Sequence, residues 1–291
     1  KGLFFTRDTN PRRKKEAKAK LWSPKHRAGS TLQRRRRRDL VLSQEGGVTT
    51  KAGVTEAIAE LQGFRAIVNA REAGKKGAGS PNASGAGEGM MMQMTRELGS
   101  RMPWKFRDGK HRLQASLLRV EWRSGAQGGV MIINTYLPGS GSPNVDQERA
   151  ELHDAIMQLL SECRRLGYEA LVMGDVNCAM HEDDRVGGRN EFDCKWGPAI
   201  RDWQLVDIWR RLRLHEQFGD KGHTRVTDET SSRIDSAWCT EGLMPYVKGM
   251  RVDTSTRVPG TDHNMLVVDL DSSLVGGGPP VCRWEGDDLV M

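Results

Sequence analysis

Residues 130–136 read Val-Met-Ile-Ile-Asn-Thr-Tyr, apolar at four consecutive positions before the run turns polar. A strand with one wet face alternates apolar with polar residues, whereas an unbroken apolar run is what a strand covered on both faces needs. A chain holding such a strand must place its sheet between two other layers. Ala170–Met173 (ALVM) has the same character, and shorter strands are expected at Asp39–Glu45, Gly63–Asn69 and Met90–Met94. Arg112–Arg123 pairs with Gly129–Tyr136 through a turn at Ser124–Gly128, and three further strands follow at Arg233–Thr240, Val247–Val252 and Asn264–Leu270. Helical spacing marks Lys51–Leu61, through Val54, Ile58 and Leu61. It is clearest over Asp146–Leu166, where Leu152, Ile156, Leu159, Leu160 and Cys163 share a face, and Pro198–Leu214 is expected to be helical in part. Single helices interrupting a series of strands predict a layered α/β domain, two sheets packed together with helices outside.

The net charge of +7 is unevenly divided. Residues 1–38 hold 15 Lys/Arg against Asp8 and Glu16, a net of +13, which leaves −6 for the remainder. The N-terminal stretch, with Arg34 to Arg38 unbroken, is read as a disordered basic arm able to neutralise phosphates. The body is expected to run from 39 to 271, with a linker over 272–291. The Gly/Ala/Ser-rich segment 73–89 is read as a loop. Five widely spaced cysteines without a Cys-x-x-Cys pair argue against a disulfide framework and a structural zinc, and fit a reducing compartment, nuclear or cytoplasmic. No apolar run is long enough to cross a bilayer, and none follows the basic N-terminus as a secretory signal would require. The first residue is Lys1 rather than Met, so the chain is expected to be a fragment.

Five strand ends carry polar groups suited to chemistry. Gly174-Asp175-Val176-Asn177 follows ALVM directly; on an extended segment Asp175 and Asn177 would face the same side. The bland alternative is a turn that caps itself. Asp262-His263 precedes the apolar strand NMLVVDL, and Asp235 opens RIDSAW, where a buried carboxylate requires a partner: His263 or Arg233. Glu45 ends the first apolar strand and Tyr136 ends NTY. Carboxylates with a hard divalent ion can neutralise phosphorus oxygens, and a histidine oriented by an aspartate can take a proton from water.

The ordered series QE, NTYLP, GDVN, RID and TDH resembles the endonuclease/exonuclease/phosphatase superfamily over roughly residues 39–271. The resemblance implies a four-layered α/β sandwich and Mg²⁺-dependent phosphodiester hydrolysis, with Mn²⁺ as the alternative ion. It assigns Glu45 and Asp262 to the metal and Tyr136 to the phosphate. Asp175 and Asn177 would position the water and stabilise the transition state, while Asp235 would orient His263. Whether Asp175 or His263 takes the water's proton is left open. Thr224, in HTR, is similar to the threonine that flanks the scissile phosphate. The HTR and SSRID segments and the ending CRWEG look most like the endonuclease domain of LINE-type (non-LTR) retrotransposons. That implies DNA as substrate, a reverse transcriptase domain in the same polyprotein, and no membrane.

Two departures stand against the family pattern. Thr261 replaces the usual Ser, with its hydroxyl retained. More seriously, the strand that should precede QE is not evident; Phe4–Asn10 is the nearest candidate, so the first strand is expected to be missing or incomplete. That gap motivates a second reading, a catalytically silent remnant that binds nucleic acid through residues 1–38. A third is a phosphatase or phospholipase on the same scaffold.

Overall fold

The computed structural model describes residues 2–6, 38–43, 64–69, 90–95, 105–107, 112–140, 144–254 and 262–275. Two six-stranded sheets dominate. The first contains β1 (Gly2–Thr6), β2 (Arg38–Ser43), β3 (Phe64–Asn69), β4 (Met90–Thr95), β13 (Val247–Asp253) and β14 (Met265–Leu270), in the spatial order β13-β14-β1-β2-β4-β3. The second contains β5 (Lys105–Arg107), β6 (Leu113–Glu121), β7 (Gln127–Tyr136), β8 (Glu169–Asp175), β9 (Val206–Asp207) and β12 (Asp235–Cys239), in the order β5-β6-β7-β8-β12-β9. A small hairpin, β10 (Arg225–Val226) and β11 (Ser231–Ser232), stands apart. The helices among the described residues are α1 (Val145–Arg165), α2 (Glu191–Arg201), α3 (Ile208–Arg211) and α4 (Leu214–Phe218).

Strand parity builds the layers. Val130 and Ile132 of β7, Leu171 and Met173 of β8, and Ala237 and Cys239 of β12 join Leu40, Leu42, Leu266 and Val268 of the first sheet in one core between the sheets. The residues between them (Met131 and Ile133, Ala170 and Val172, Trp238) face the other way. They pack against Leu152, Ile156, Leu159, Leu160 and Cys163 of α1 and Ile200 of α2. Both faces of β7 and β8 are thus covered, which is why neither strand alternates in polarity. Each fully buried leucine or isoleucine here contributes about 1.5–3 kcal/mol. The fourth layer would rest on Lys51–Leu61, which lies outside the described residues, as do the loop 73–89 and Thr261.

Three expectations need correction. The first strand is present: β1 pairs in parallel with β2 and antiparallel with β14, filling the central slot that the sequence left vacant. The apolar triplet Leu3–Phe5 is too short for periodicity to reveal it, and only pairing to two distant strands defines it. Residues 2–6 therefore belong to the domain rather than to a disordered arm; residues 7–37 lie outside the described set. At the other end the domain passes 271, because a 3₁₀ turn at Ser272–Val275 returns Leu274 to the inter-sheet core. Finally, α2 begins at Glu191, upstream of Pro198. Its start is a capping box: the Asn190 side chain accepts the Asp193 N–H, and Asp193 accepts the Asn190 N–H.

Candidate active site

The site is assembled by register. β7 and β8 are parallel and pair Tyr136 with Asp175; β8 and β12 are antiparallel and pair Asp175 with Asp235. Tyr136, Asp175 and Asp235 therefore form one row across three neighbouring strands, where β7 and β8 end and β12 begins. Just ahead of β14, His263 reaches across from the other sheet, with Nδ1 2.6 Å from Asp235 Oδ2 and both side chains wholly buried. Ligand atoms of Asp175, Asp235 and His263 all lie within 4.8 Å of one another.

Asp175 and Asp235 are both buried, and two adjacent carboxylates in low dielectric are costly without a cation. Asp235 Oδ1 is a buried oxygen with no hydrogen-bond partner among the described residues. An orphaned carboxylate oxygen beside a second carboxylate is what a hard divalent ion requires, so the residues present fit one. Glu45 lies outside the described residues, two positions beyond the end of β2 at Ser43. Asp262 stands at the rim: its Oδ2 accepts from Arg225 Nε at 2.9 Å, and its Oδ1 lies 3.9 Å from His263 Nε2.

Asn177 departs from the expected geometry. Strand β8 stops at Asp175, and Asn177 takes a left-handed backbone (φ 51°), so the extended i, i+2 argument fails. Instead the turn caps itself: the Asn177 N–H donates to Asp175 Oδ1 at 2.7 Å, and its Nδ2 donates to Leu137 O at 2.7 Å. The amide thus ties the end of β7 to the end of β8. A Cβ on Gly139 would sit 3.3 Å from Asn177 Oδ1, so that glycine keeps the approach open.

Thr224 is fully buried, and its Oγ1 accepts the backbone N–H groups of Ile234 and Asp235 at 3.2 and 3.0 Å. The hydroxyl oxygen is spent on presenting Asp235. Of the two partners considered for Asp235, the structure selects His263. Arg233 is buried and committed elsewhere, bonding Asp184 through Nε and Nη2 and Asp207 through Nη2. Burial opposes its charge, but Asp207 and Asp184 outweigh burial and hold it more firmly protonated than usual.

Two cations went unread in the sequence. The Arg112 guanidinium lies 5.1 Å from the Tyr136 ring centroid, and its Nη2 is 3.6 Å from Glu148. Arg149 on α1 is fully buried between the rings of Phe192 and Trp196, 4.7 and 4.8 Å away, and donates to Pro138 O at 2.8 Å. Burial lowers its pKa, with the attraction of Cys178 and Asp175 opposing. Arg149 sits three residues before Leu152 on the apolar face of α1; periodicity marks such a place but not an arginine filling it.

A scan of protein-family models gives no match, and a search of curated protein sequences gives none either. Solved structures do match. The AP endonuclease LMAP from Leishmania major superposes with a TM-score of 0.70 at 14% identity, over 92% of this chain and 86% of that one. The APE2 catalytic domain from Xenopus laevis gives 0.70 at 12% identity, over 93% and 92%. The 3′ phosphatase NExo from Neisseria, bound to product DNA hairpin, gives 0.65 at 15% identity, over 93% and 99%. At these identities the likeness is one of architecture: this chain has the α/β fold, mixed sheets flanked by helices, of AP endonucleases and of a 3′ phosphatase.

Proposed function

We propose that the chain is a divalent-metal-dependent phosphodiesterase that nicks DNA. The observation that carries this reading is the convergence of ligand atoms of Asp175, Asp235 and His263 within 4.8 Å, with Tyr136 in register beside Asp175. With Asp235 Oδ2 as its acceptor, His263 Nδ1 carries the hydrogen and Nε2 is the basic nitrogen. His263 takes the proton from the attacking water, and Asp235 stabilises the imidazolium that forms. Asp175, its Oδ1 anchored by the Asn177 N–H, holds the water in line. Tyr136 and the Arg112 beside it bind the phosphate oxygens. Asp175 and the orphaned Asp235 oxygen would hold the ion, with Glu45 and Asp262 as further oxygen donors. Mg²⁺, or Mn²⁺ in its place, supplies charge neutralisation at the phosphorus oxygens when bound.

The finer reading follows the resemblance of the HTR, SSRID and CRWEG segments: the endonuclease domain of a LINE-type element, joined to a reverse transcriptase and acting in the nucleus or cytoplasm. The matched 3′ phosphatase NExo is bound to a product DNA hairpin, which supports nucleic acid over lipid. No helix among the described residues is long and apolar enough to cross a membrane. The silent-remnant reading loses its main motive, because β1 occupies the slot thought empty.

The test is nicking of supercoiled plasmid with Mg²⁺, with chelator, and with Asp175→Ala, alongside inositol phosphates and sphingomyelin. Metal-dependent nicking that falls by at least about 10²-fold in the variant is expected. Equal nicking with and without metal, or turnover of the small phosphates instead of plasmid, would refute it.

A further inference from the structure

Beyond Arg112 and Arg149, the described arginines of this region differ in how far they are committed. Arg233, Arg185 and Arg210 are spent: each makes two or more hydrogen bonds to aspartates, and their side chains are 1%, 17% and 18% exposed. Arg225 is different. Its side chain is 37% exposed, and its one bond to a carboxylate runs from Nε to Asp262 Oδ2 at 2.9 Å. Among the described residues, its four Nη hydrogens meet no protein acceptor.

The backbone holds this guanidinium in place. Arg225 forms an antiparallel bridge with His263, and the next residue, Val226, donates its N–H to Asp262 O at 2.8 Å. The Asp262 carboxylate lies between Arg225 Nε and His263 Nε2, so the fork stands one carboxylate away from the basic nitrogen. A half-exposed ion pair contributes only about 0–1 kcal/mol to a fold, so stability alone gives little reason for the pairing. For a polyanionic substrate the reason is direct. Asp262 alone would present a negative charge at the mouth of the site; the tethered arginine cancels it and offers outward-facing donors matched to two phosphate oxygens.

We propose that Arg225 is a phosphate-binding residue, its fork held through Nε by Asp262 so that both Nη groups engage the backbone phosphate next to the scissile one. The inference rests on the DNA reading above, and it gives a role to the arginine of the HTR segment, for which the resemblance implied none. Asp262 acquires a second role, as the tether that orients the fork.

The test measures DNA binding without turnover. In an Asp175→Ala background, the affinity for a short duplex is followed by fluorescence anisotropy across roughly 50 to 200 mM salt. Arg225→Gln is expected to bind roughly 10-fold more weakly at the low end, and its log–log salt slope should be shallower by about 0.9, one phosphate contact. Arg225→Lys should retain most of the slope while losing part of the affinity. Replacing single phosphates by neutral methylphosphonates should reveal one position that weakens the parent but not Arg225→Gln. If Arg225→Gln does not fold, that position must still separate the parent from Arg225→Lys. An unchanged slope, or no such phosphate position, overturns the role of Arg225 while leaving the nuclease reading intact. A parent that binds no duplex overturns both.

Discussion

At the scale of single residues, Thr224 shows how a site can depend on a side chain that the chemistry does not touch. Its Oγ1 accepts two buried N–H groups, those of Ile234 and Asp235, just where the carboxylate that orients His263 enters the sheet. Thr224→Val is nearly the same shape but leaves both donors without an acceptor, at about 1–3 kcal/mol each. The expected outcome is a lowered urea midpoint together with a fall in plasmid nicking, both restored by Thr224→Ser. Full stability in the valine variant would return the hydroxyl to the substrate role that its resemblance implied. Asn177 carries a related lesson. Sequence spacing placed its amide beside the Asp175 carboxylate, but with a left-handed backbone its main-chain N–H caps Asp175 while the side-chain amide holds Leu137 O.

At the scale of elements, a buried ionic network fixes the start of β12. Arg233 joins Asp184, from the 3₁₀ turn Glu182–Asp184, to Asp207, at the β9–α3 junction, and Arg210 adds bonds to Asp183 and Asp184. Asp183 is lowered to about 2, chiefly by its hydrogen bonds from Arg210. Such a network costs desolvation, so its removal as a whole could be neutral; removing one partner is different. Arg233→Met would take from Asp207 its guanidinium partner and leave Asp184 with Arg210 as its cation, and is expected to destabilise the fold by about 3–5 kcal/mol in urea unfolding. A loss under about 1 kcal/mol would mean that water reaches those carboxylates. The network also explains why Asp235 pairs with His263: the nearest arginine along the chain is already taken.

At the scale of the whole molecule, the two cores bear on how stability depends on pH. Cys163 and Cys178 lie in the core beneath the helices and Cys239 in the core between the sheets; burial pushes all three thiols up to about 12 from an ordinary 9.0. Above pH 9 the unfolded chain loses these protons while the folded chain keeps them. The unfolded state then binds fewer protons, and stability falls as pH rises from 9 towards 12. The slope is at most about 1.4 kcal/mol per pH unit for each thiol. Melting temperatures taken from about pH 8 to about pH 10.5 should drop more steeply than in a variant with all three cysteines replaced by alanine. Parallel slopes in the two proteins would rule out the thiols as the cause.

The sequence by itself determined the character of the long apolar segments and where the polar groups at their ends sit. Consecutive apolar residues in β7 and β8 demanded cover on both faces, the period of α1 located its buried side, and a carboxylate, phenol or imidazole marked five strand ends. Those signals are local, because side-chain period and propensity act within a few residues. Pairing, register and partner choice were decided by the tertiary structure. Nothing within Leu3–Phe5 says that β1 lies between β2 and β14, and nothing in RID or TDH says that His263 meets Asp235 while Asp262 goes to Arg225. Register is a long-range property, set by which faces must be buried together, and a shift of one residue would have sent Asp175 or Asp235 to the opposite face.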